Sequence, residues 1–495
     1  MYQVVAIDLG ATSGRVMLAC FESATQQLTL QQVHRFANQL VERGGQLCWD
    51  IEHLEDEIFT ALNMLVAKGE LINSIGIDSW GVDFVCLDKH GNRLGEAVSY
   101  RDDRTQTISR KLCDKLGFDR LYRQTGIQFQ PFNTLFQLSA LTQAVPSWLD
   151  DVDKILMIPD YFHYRLTGQF HWDYTNATTT GMLGCRDGNW QAALVQAAGA
   201  SASWFGQPVK PGTKIGDWQA NGSQRIAVMA SPTHDTAAAI AAAPLMSDST
   251  AYISSGTWSL IGIESEQPLT NPVAKGANLT NEGGANGRFR VLKNVMGMWL
   301  IEGILKHFPE LDICQLCELA AQKTGFISLV NPNDSCFIHP DSMVAAIQNY
   351  CQQTGQRVPQ SPGALVRCVL DSLALSYRQC LGQLEKASGQ PLTEIRIVGG
   401  GSQNQLLNQL CADICQRPVL TGPVEASALG NVGYQLIGLG AITDGQALRQ
   451  IIAHSFSEHS FSPRPNAELA AAIQRFNQLD LLPVNHSQSQ IKEYV

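Results

Sequence analysis

An acid, Asp8, closes the apolar run VVAIDLG, and a tight turn of Gly10, Ala11, Thr12, Ser13 and Gly14 follows it, with Arg15 behind. Backbone N–H groups in a turn of small residues can approach a phosphate closely, and the two hydroxyls add donors. A carboxylate at the strand end suits Mg²⁺, which keeps several waters and takes one or two carboxylates plus phosphate oxygens. Asp8 is therefore the candidate metal ligand, and Arg15 offers a cation. The turn is not a P-loop, because no GK[ST] is present and VMLACF reads as a strand rather than a helix. Taken alone, a glycine-rich hairpin without any ligand is the plainer reading.

Two later segments add to it. AYISSGTWSLIGI (251–263) is again strand, hydroxyl-bearing turn and strand, so Ser255, Gly256 and Thr257 can face the first turn across a cleft. EIRIV (394–398) runs into GGGSQN (399–404), where bare glycine backbone at a strand end lets a flat ring lie close. A further acid, Asp235 in SPTHDTAAAIAAA, starts an Ala-rich helix. There the exposed N–H groups favour a carboxylate and keep it ionised, so it serves either as a base or only as a helix cap.

The elements that must position these residues are legible as a repeated pattern. VMLACF and QLTLQQV complete a three-strand meander with the first run. Ile51, Leu54, Ile58, Leu62, Leu65 and Val66 recur at helical spacing, and SIGID (74–78) follows as a short strand parallel to the first. The second half repeats this order with the helix pattern 364–384 before EIRIV. Two copies of one unit imply a duplicated α/β fold with a cleft between the halves, divided near the Ala-rich segment 237–243.

At 495 residues the chain exceeds the roughly 250 at which one core stops growing, so two domains are expected. A net charge of −10 argues against a nucleic-acid surface. AAAIAAAPLM (237–246) is far short of the roughly 20 apolar residues of a membrane span, and the amino terminus carries no secretory pattern. Thirteen scattered cysteines fit reduced thiols in a cytoplasm. The close pairs Cys314 with Cys317 and Cys411 with Cys415 read as buried apolar groups on helices, with a zinc site or regulatory disulfide as the alternative.

The order DLGATSGR, SSGTWSL and VGGGSQN resembles the two phosphate motifs and the adenosine motif of the FGGY sugar kinases, within the actin, Hsp70 and hexokinase superfamily. The resemblance covers essentially the whole chain. SIGIDSWGVDF (74–84), YRDDRT (100–105), GIQFQPFNTLFQL (126–138), PDYFHYRLTG (159–168), HDTA (234–237) and NEGGANGRFRVLKNVMGMWL (281–300) are similar to the branch that phosphorylates L-rhamnulose. The resemblance implies an α/β fold of two ribonuclease-H-like (actin-like ATPase) domains with a central cleft. Sugar and phosphate fall on 1–242 and ATP on 243–455. A helical tail, 456–495, packs on the first domain through a helix at 466–482.

It also implies transfer of the ATP γ-phosphate to the 1-hydroxyl of L-rhamnulose, with ATP and Mg²⁺ bound. Asp235 of the HDT motif is then the general base, and Gly81, His234, Asp235, Thr236 and Asn294 meet the sugar. Ala11, Thr12, Ser13, Gly14, Arg15, Thr257 and Gly400 meet the nucleotide, and Trp80, Asp83 and Arg101 are further pocket-wall candidates. Glu302 departs from the pattern, since close relatives carry glutamine there; a carboxylate beside a triphosphate repels it, so Glu302 turns away or meets a ribose hydroxyl. The lysine-bearing FGGY signature is absent around QPFNTLFQL. The partner is a small molecule, with no nucleic acid or membrane, and the protein is a monomer or small homo-oligomer. A kinase for another ketose, such as L-fuculose or a xylulose, and an actin-like or chaperone-like ATP-binding protein are the rival readings.

Overall fold

Apolar residues that alternate or run together between Tyr2 and Ala37 form three consecutive strands, Tyr2–Leu9, Ser13–Glu22 and Gln27–Ala37. In the computed structural model, which describes residues 1–220, 224–338 and 340–479, they form an antiparallel meander. Strand Ser74–Ser79 joins the other edge of Tyr2–Leu9 in parallel. The helix between them, Ile51–Ala67, is capped by the Asp50 side chain and buries Ile51, Leu54, Ile58, Leu62 and Leu65, the expected stripe. Arg225–Met229 and Lys214–Gln219 complete a six-stranded sheet.

The second half repeats the theme. Thr250–Ser255 pairs antiparallel with Trp258–Ser265 and parallel with Glu394–Val398. The helix Pro362–Ser388, capped by Ser361, crosses between the two parallel strands. Phe289–Met296, Thr280–Gly283, Val419–Thr421 and His459–Phe461 extend this to seven strands. Each sheet has its own core, one around Val5, Ile7, Ile75 and Ile77 and the other around Ala251, Ile253, Ile395 and Ile397.

The expectation for the carboxy-terminal helix is corrected. Helix Leu469–Leu479 buries Leu469, Ala472, Phe476 and Leu479 in the second core rather than against the first domain, and the Arg475 guanidinium donates to the Phe326 carbonyl at 2.5 Å. The apolar stripe was legible, but the surface it matches was not. Residues 480–482 of the expected helix lie outside the described residues. Helices Ala426–Gly438 and Gly445–Ser455, assigned by position to the second half, pack Leu429, Val432, Leu448 and Ile452 onto Val4, Ala6 and Met17 of the first sheet. Among the described residues no helix is long and apolar enough to cross a membrane.

Candidate active site

The strand register explains why the acids meet. Asp8 faces Arg15 across the antiparallel pair and Asp78 across the parallel one, so three charged groups share one strand end. Arg15 bridges the carboxylates of Asp8 and Glu425. Asp78 is fully buried, accepts from Asn431 Nδ2 at 2.6 Å through one oxygen, and leaves Oδ1 without a partner among the described residues. Burial, and after it the charge of Asp8, lifts the Asp78 carboxyl well above the usual range. Asp8 itself reaches the open space beside it, and a single carboxylate at that place is what Mg²⁺ commonly takes alongside phosphate oxygens and water.

Asp8, Arg15 and Glu425 open onto a cavity of about 610 Å³ between the two halves, with Asp78 buried behind them. Its lining contains Gly10, Ala11, Thr12 and Arg15 of the first turn, Ser255, Gly256 and Thr257 of the second, and Gly399 and Gly400 of the third. Gly81, His234, Asp235, Thr236 and Asn294 line it as well. The expected nucleotide and sugar contacts are thus largely brought together. Gly400 has nothing within 4 Å of a notional Cβ and is open to a ligand, whereas Cβ atoms on Gly399 and Gly401 would lie 2.9 and 2.0 Å from Ser255 atoms. The flanking glycines let the third turn touch the second; the middle one faces the cleft.

Three expected contacts fall outside the lining. Gly14 lies beneath the Phe36 ring, with a notional Cβ 2.3 Å from it, so its role is packing. Ser13 begins the second strand, its carbonyl accepting from Gly10 N at 2.9 Å to close the turn. Glu302 lies in the first turn of helix Trp299–Leu305; burial raises its carboxyl, and Lys306 and Arg101 pull it back. Of the pocket-wall candidates, Trp80 lines the cavity, but Asp83 lies behind it. Asp83 accepts from Trp49 Nε1 at 2.6 Å, Trp80 Nε1 at 3.0 Å, Gln137 Nε2 at 2.8 Å and Tyr100 N at 3.1 Å, locking that wall.

Asp235 is the first residue of helix Asp235–Ala242, with His234 at the cap position and no side-chain cap bond. The expected stabilisation of its charge is present, with Thr236 N and Oγ1 donating to Oδ1 at 2.5 and 3.0 Å, but it is outweighed. Burial, and after it the charge of Asp8, pushes the Asp235 carboxyl up to about 7, although 32 % of the side chain still opens on the cleft. Helix-end N–H groups supply only a fraction of what those two effects remove.

The loop carrying His234 is held from below by Asp173, whose Oδ1 accepts from Thr175 N at 2.9 Å, Asn176 N at 3.2 Å and Thr233 Oγ1 at 2.9 Å. His234 N donates to Thr175 Oγ1 at 3.2 Å. Burial first, then Arg290, holds the His234 ring well below its ordinary pKa, so it is neutral. Its Nε2 lies 3.6 Å from Asp235 Oδ1.

Gln128, not singled out from the sequence although it lies within GIQFQPFNT, accepts from Asn294 N and Nδ2 at 3.3 and 3.0 Å and turns that amide toward the cleft. Val82, also unanticipated, has φ 70° in the cavity wall. Thr179 Oγ1, which accepts from Val82 N at 3.1 Å, and Thr134, which donates to Val82 O at 2.7 Å, hold it there. A β-branched residue in the left-handed region carries strain of about 1–3 kcal/mol, which the surrounding bonds must over-determine.

The profile of the FGGY family of carbohydrate kinases matches residues 3–240 with its N-terminal domain and 251–439 with its C-terminal domain. The chain belongs to this family. It is 51 % identical over 476 residues to the rhamnulokinase of Pectobacterium atrosepticum, covering 96 % of each chain. To that of Yersinia pestis strain Pestoides F it is 51 % identical over 480 residues, covering 97 % of this chain and 99 % of that one. Among solved structures it resembles xylulose kinase from Lactobacillus acidophilus (TM-score 0.78, 17 % identity, 97 % of both chains). It also resembles Plasmodium falciparum glycerol kinase with ADP (TM-score 0.79, 15 % identity, 98 % and 99 % of the chains). The two-domain actin-like fold is shared with these solved kinases, and the protein is a carbohydrate kinase.

Among the described residues no cysteine joins a group with metal-ligand spacing. Cys411 and Cys415 are buried, with sulfurs 3.9 Å apart, as apolar residues would be. Cys314 is exposed and Cys317 half-buried, which corrects the expectation of a buried pair: their helix presents that side to solvent.

Proposed function

We propose that the chain phosphorylates L-rhamnulose at O1, using ATP and Mg²⁺ in the cytoplasm and releasing ADP and L-rhamnulose 1-phosphate in L-rhamnose catabolism. The observation that carries this reading is the opening of Asp235, His234 and both phosphate turns onto one cavity, in a chain half identical to rhamnulokinases along nearly its whole length. Asp235, once ionised, accepts the proton of the sugar hydroxyl as O1 bonds to the γ-phosphorus and the bond to the β-phosphate oxygen breaks. A Mg²⁺ held at Asp8 would supply charge neutralisation on the phosphates. His234 and the Gln128-oriented Asn294 contribute hydrogen bonds that fix the ketose, and closure of the halves excludes water as a competing acceptor.

A panel of ketoses with coupled detection of ADP tests the substrate. L-rhamnulose should give the highest kcat/KM; preferred turnover of L-fuculose or a xylulose overturns the assignment. ATP hydrolysis indifferent to every sugar would favour a binding protein of the same fold instead.

A further inference from the structure

Arg290 is the largest charged side chain wholly removed from solvent in the molecule's described core, and it reaches from the second half of the chain to a sugar-site residue of the first. It stands on strand Phe289–Met296, where it lies opposite Glu282 of Thr280–Gly283. One nitrogen, Nη2, donates to Glu282 Oε2 at 2.9 Å and meets His234 Nδ1 at 3.0 Å.

A guanidinium has five donors and no acceptor. Whatever nitrogen it meets at hydrogen-bond distance must therefore present a lone pair. Glu282 Oε2 also lies near His234 Nδ1, at 3.4 Å, but as an ion-pair separation rather than the 3.0 Å hydrogen bond that Arg290 Nη2 makes with it. The Nδ1 lone pair is accordingly committed to Arg290, and the single proton of a neutral imidazole resides on Nε2, the nitrogen 3.6 Å from Asp235 Oδ1.

We propose that Arg290 is a positioning residue for phosphoryl transfer, fixing His234 as the Nε2–H tautomer so that the cleft holds one obligate donor beside one acceptor. A hydroxyl seated between them accepts from His234 and donates to Asp235, which orients its remaining lone pair. His234 has no free lone pair to take that proton, which makes Asp235 the base of the pair. The kinetic part of this inference rests on the sugar-kinase reading above; the tautomer itself does not.

NMR of isotope-labelled histidine, with His234 assigned by its loss in His234→Gln, reads which ring nitrogen is protonated. Nε2 should carry the proton in the unaltered protein and in Glu282→Gln. In Arg290→Met combined with Glu282→Gln, which removes both buried charges together, the fixed tautomer should be lost. There kcat should fall at least about tenfold with a smaller change in KM, as expected when orientation rather than ground-state binding suffers. Arg290→Lys, which keeps a donor, should keep the tautomer and part of the rate. A proton on Nδ1 in the unaltered protein overturns the proposal, as does a double variant that retains either the tautomer or full kcat. If the double variant does not fold, the spectra of the unaltered protein and of Arg290→Lys decide. Because the NMR experiment needs no substrate, failure of L-rhamnulose turnover would count against the proposed function alone.

Discussion

At the scale of single residues, Asp235 is where two readings of one carboxylate part. As a base, Asp235→Asn should lower kcat by roughly 10² to 10⁴, with the fold retained. Its stability effect also has a definite sign. The folded carboxyl is raised to about 7 from an ordinary value near 3.8, so the native state holds a proton that the unfolded chain has released between those values. Stability then falls as pH rises through that window, and the Asn variant should melt higher than the parent above pH 7. A helix cap would behave oppositely, losing about 1 kcal/mol. Melting curves at two pH values with single-turnover kinetics separate the two, and near-normal phosphorylation in the variant would sink the base. The same shift predicts that kcat/KM rises with pH through about 7, one proton being lost from the free enzyme. Asp8→Ala should abolish Mg²⁺-dependent turnover while the melting temperature changes little, since Arg15 keeps Glu425; normal activity would remove Asp8 from the mechanism. Asp8, Asp235 and His234 were legible because each sits in a short local pattern. Arg290 and Glu282 were not, although both lie in a quoted segment, because what they touch depends on a strand register and a loop fifty residues away in the chain.

At the scale of elements, the Ala-rich stretch 237–243 shows how one pattern supports two readings. Small residues without charge suit both a domain boundary and a helix begun by Asp235, and the sequence places both there; the family's two domain models also divide between 240 and 251. In the folded protein they form a buried helix, Asp235–Ala242, because small side chains let another helix approach until backbones touch. Its partner is Ala426–Gly438, where a Cβ on Gly430 would stand 1.8 Å from the Ala238 carbonyl oxygen. Gly430→Ala therefore cannot be absorbed by turning a side chain; a helix must move. Overpacking of this kind costs about 1–3 kcal/mol. Since the helix displaced carries Asp235 at its first position, kcat should fall along with the melting temperature. A variant as stable and as active as the parent would show that the helices can separate freely. The glycine gave no local signal, because what excludes a methyl there comes from a helix almost two hundred residues earlier. The duplicated strand–turn–strand units were readable, because each turn had to be small, polar and followed by an apolar run.

At the scale of the whole molecule, the phosphate turns belong to different sheets, helices Ala426–Gly438 and Gly445–Ser455 cover the first sheet, and the cavity opens between the turns. This connectivity was hidden from the sequence, where position along the chain assigns 426–455 to the second half. It has a consequence for binding. The proposed sugar contacts come from both sides of the cavity, with Gly81 and His234 on the first half and Asn294 on the second, and the proposed nucleotide contacts are divided likewise between Ala11–Thr12 and Thr257–Gly400. Each ligand therefore favours the arrangement in which the halves approach, and either should reduce the cost of closing for the other. Coupling of this kind amounts to about 1–3 kcal/mol, or 5- to 150-fold in affinity, and must be reciprocal. Calorimetry with Mg²⁺ and a non-hydrolysable ATP analogue can measure the nucleotide's affinity with and without L-rhamnulose and the sugar's affinity with and without the nucleotide. The two ratios should agree and exceed about fivefold. Equal affinities in both arms would mean that the halves are already fixed at their working separation, and that water is excluded by the ligands themselves rather than by closure.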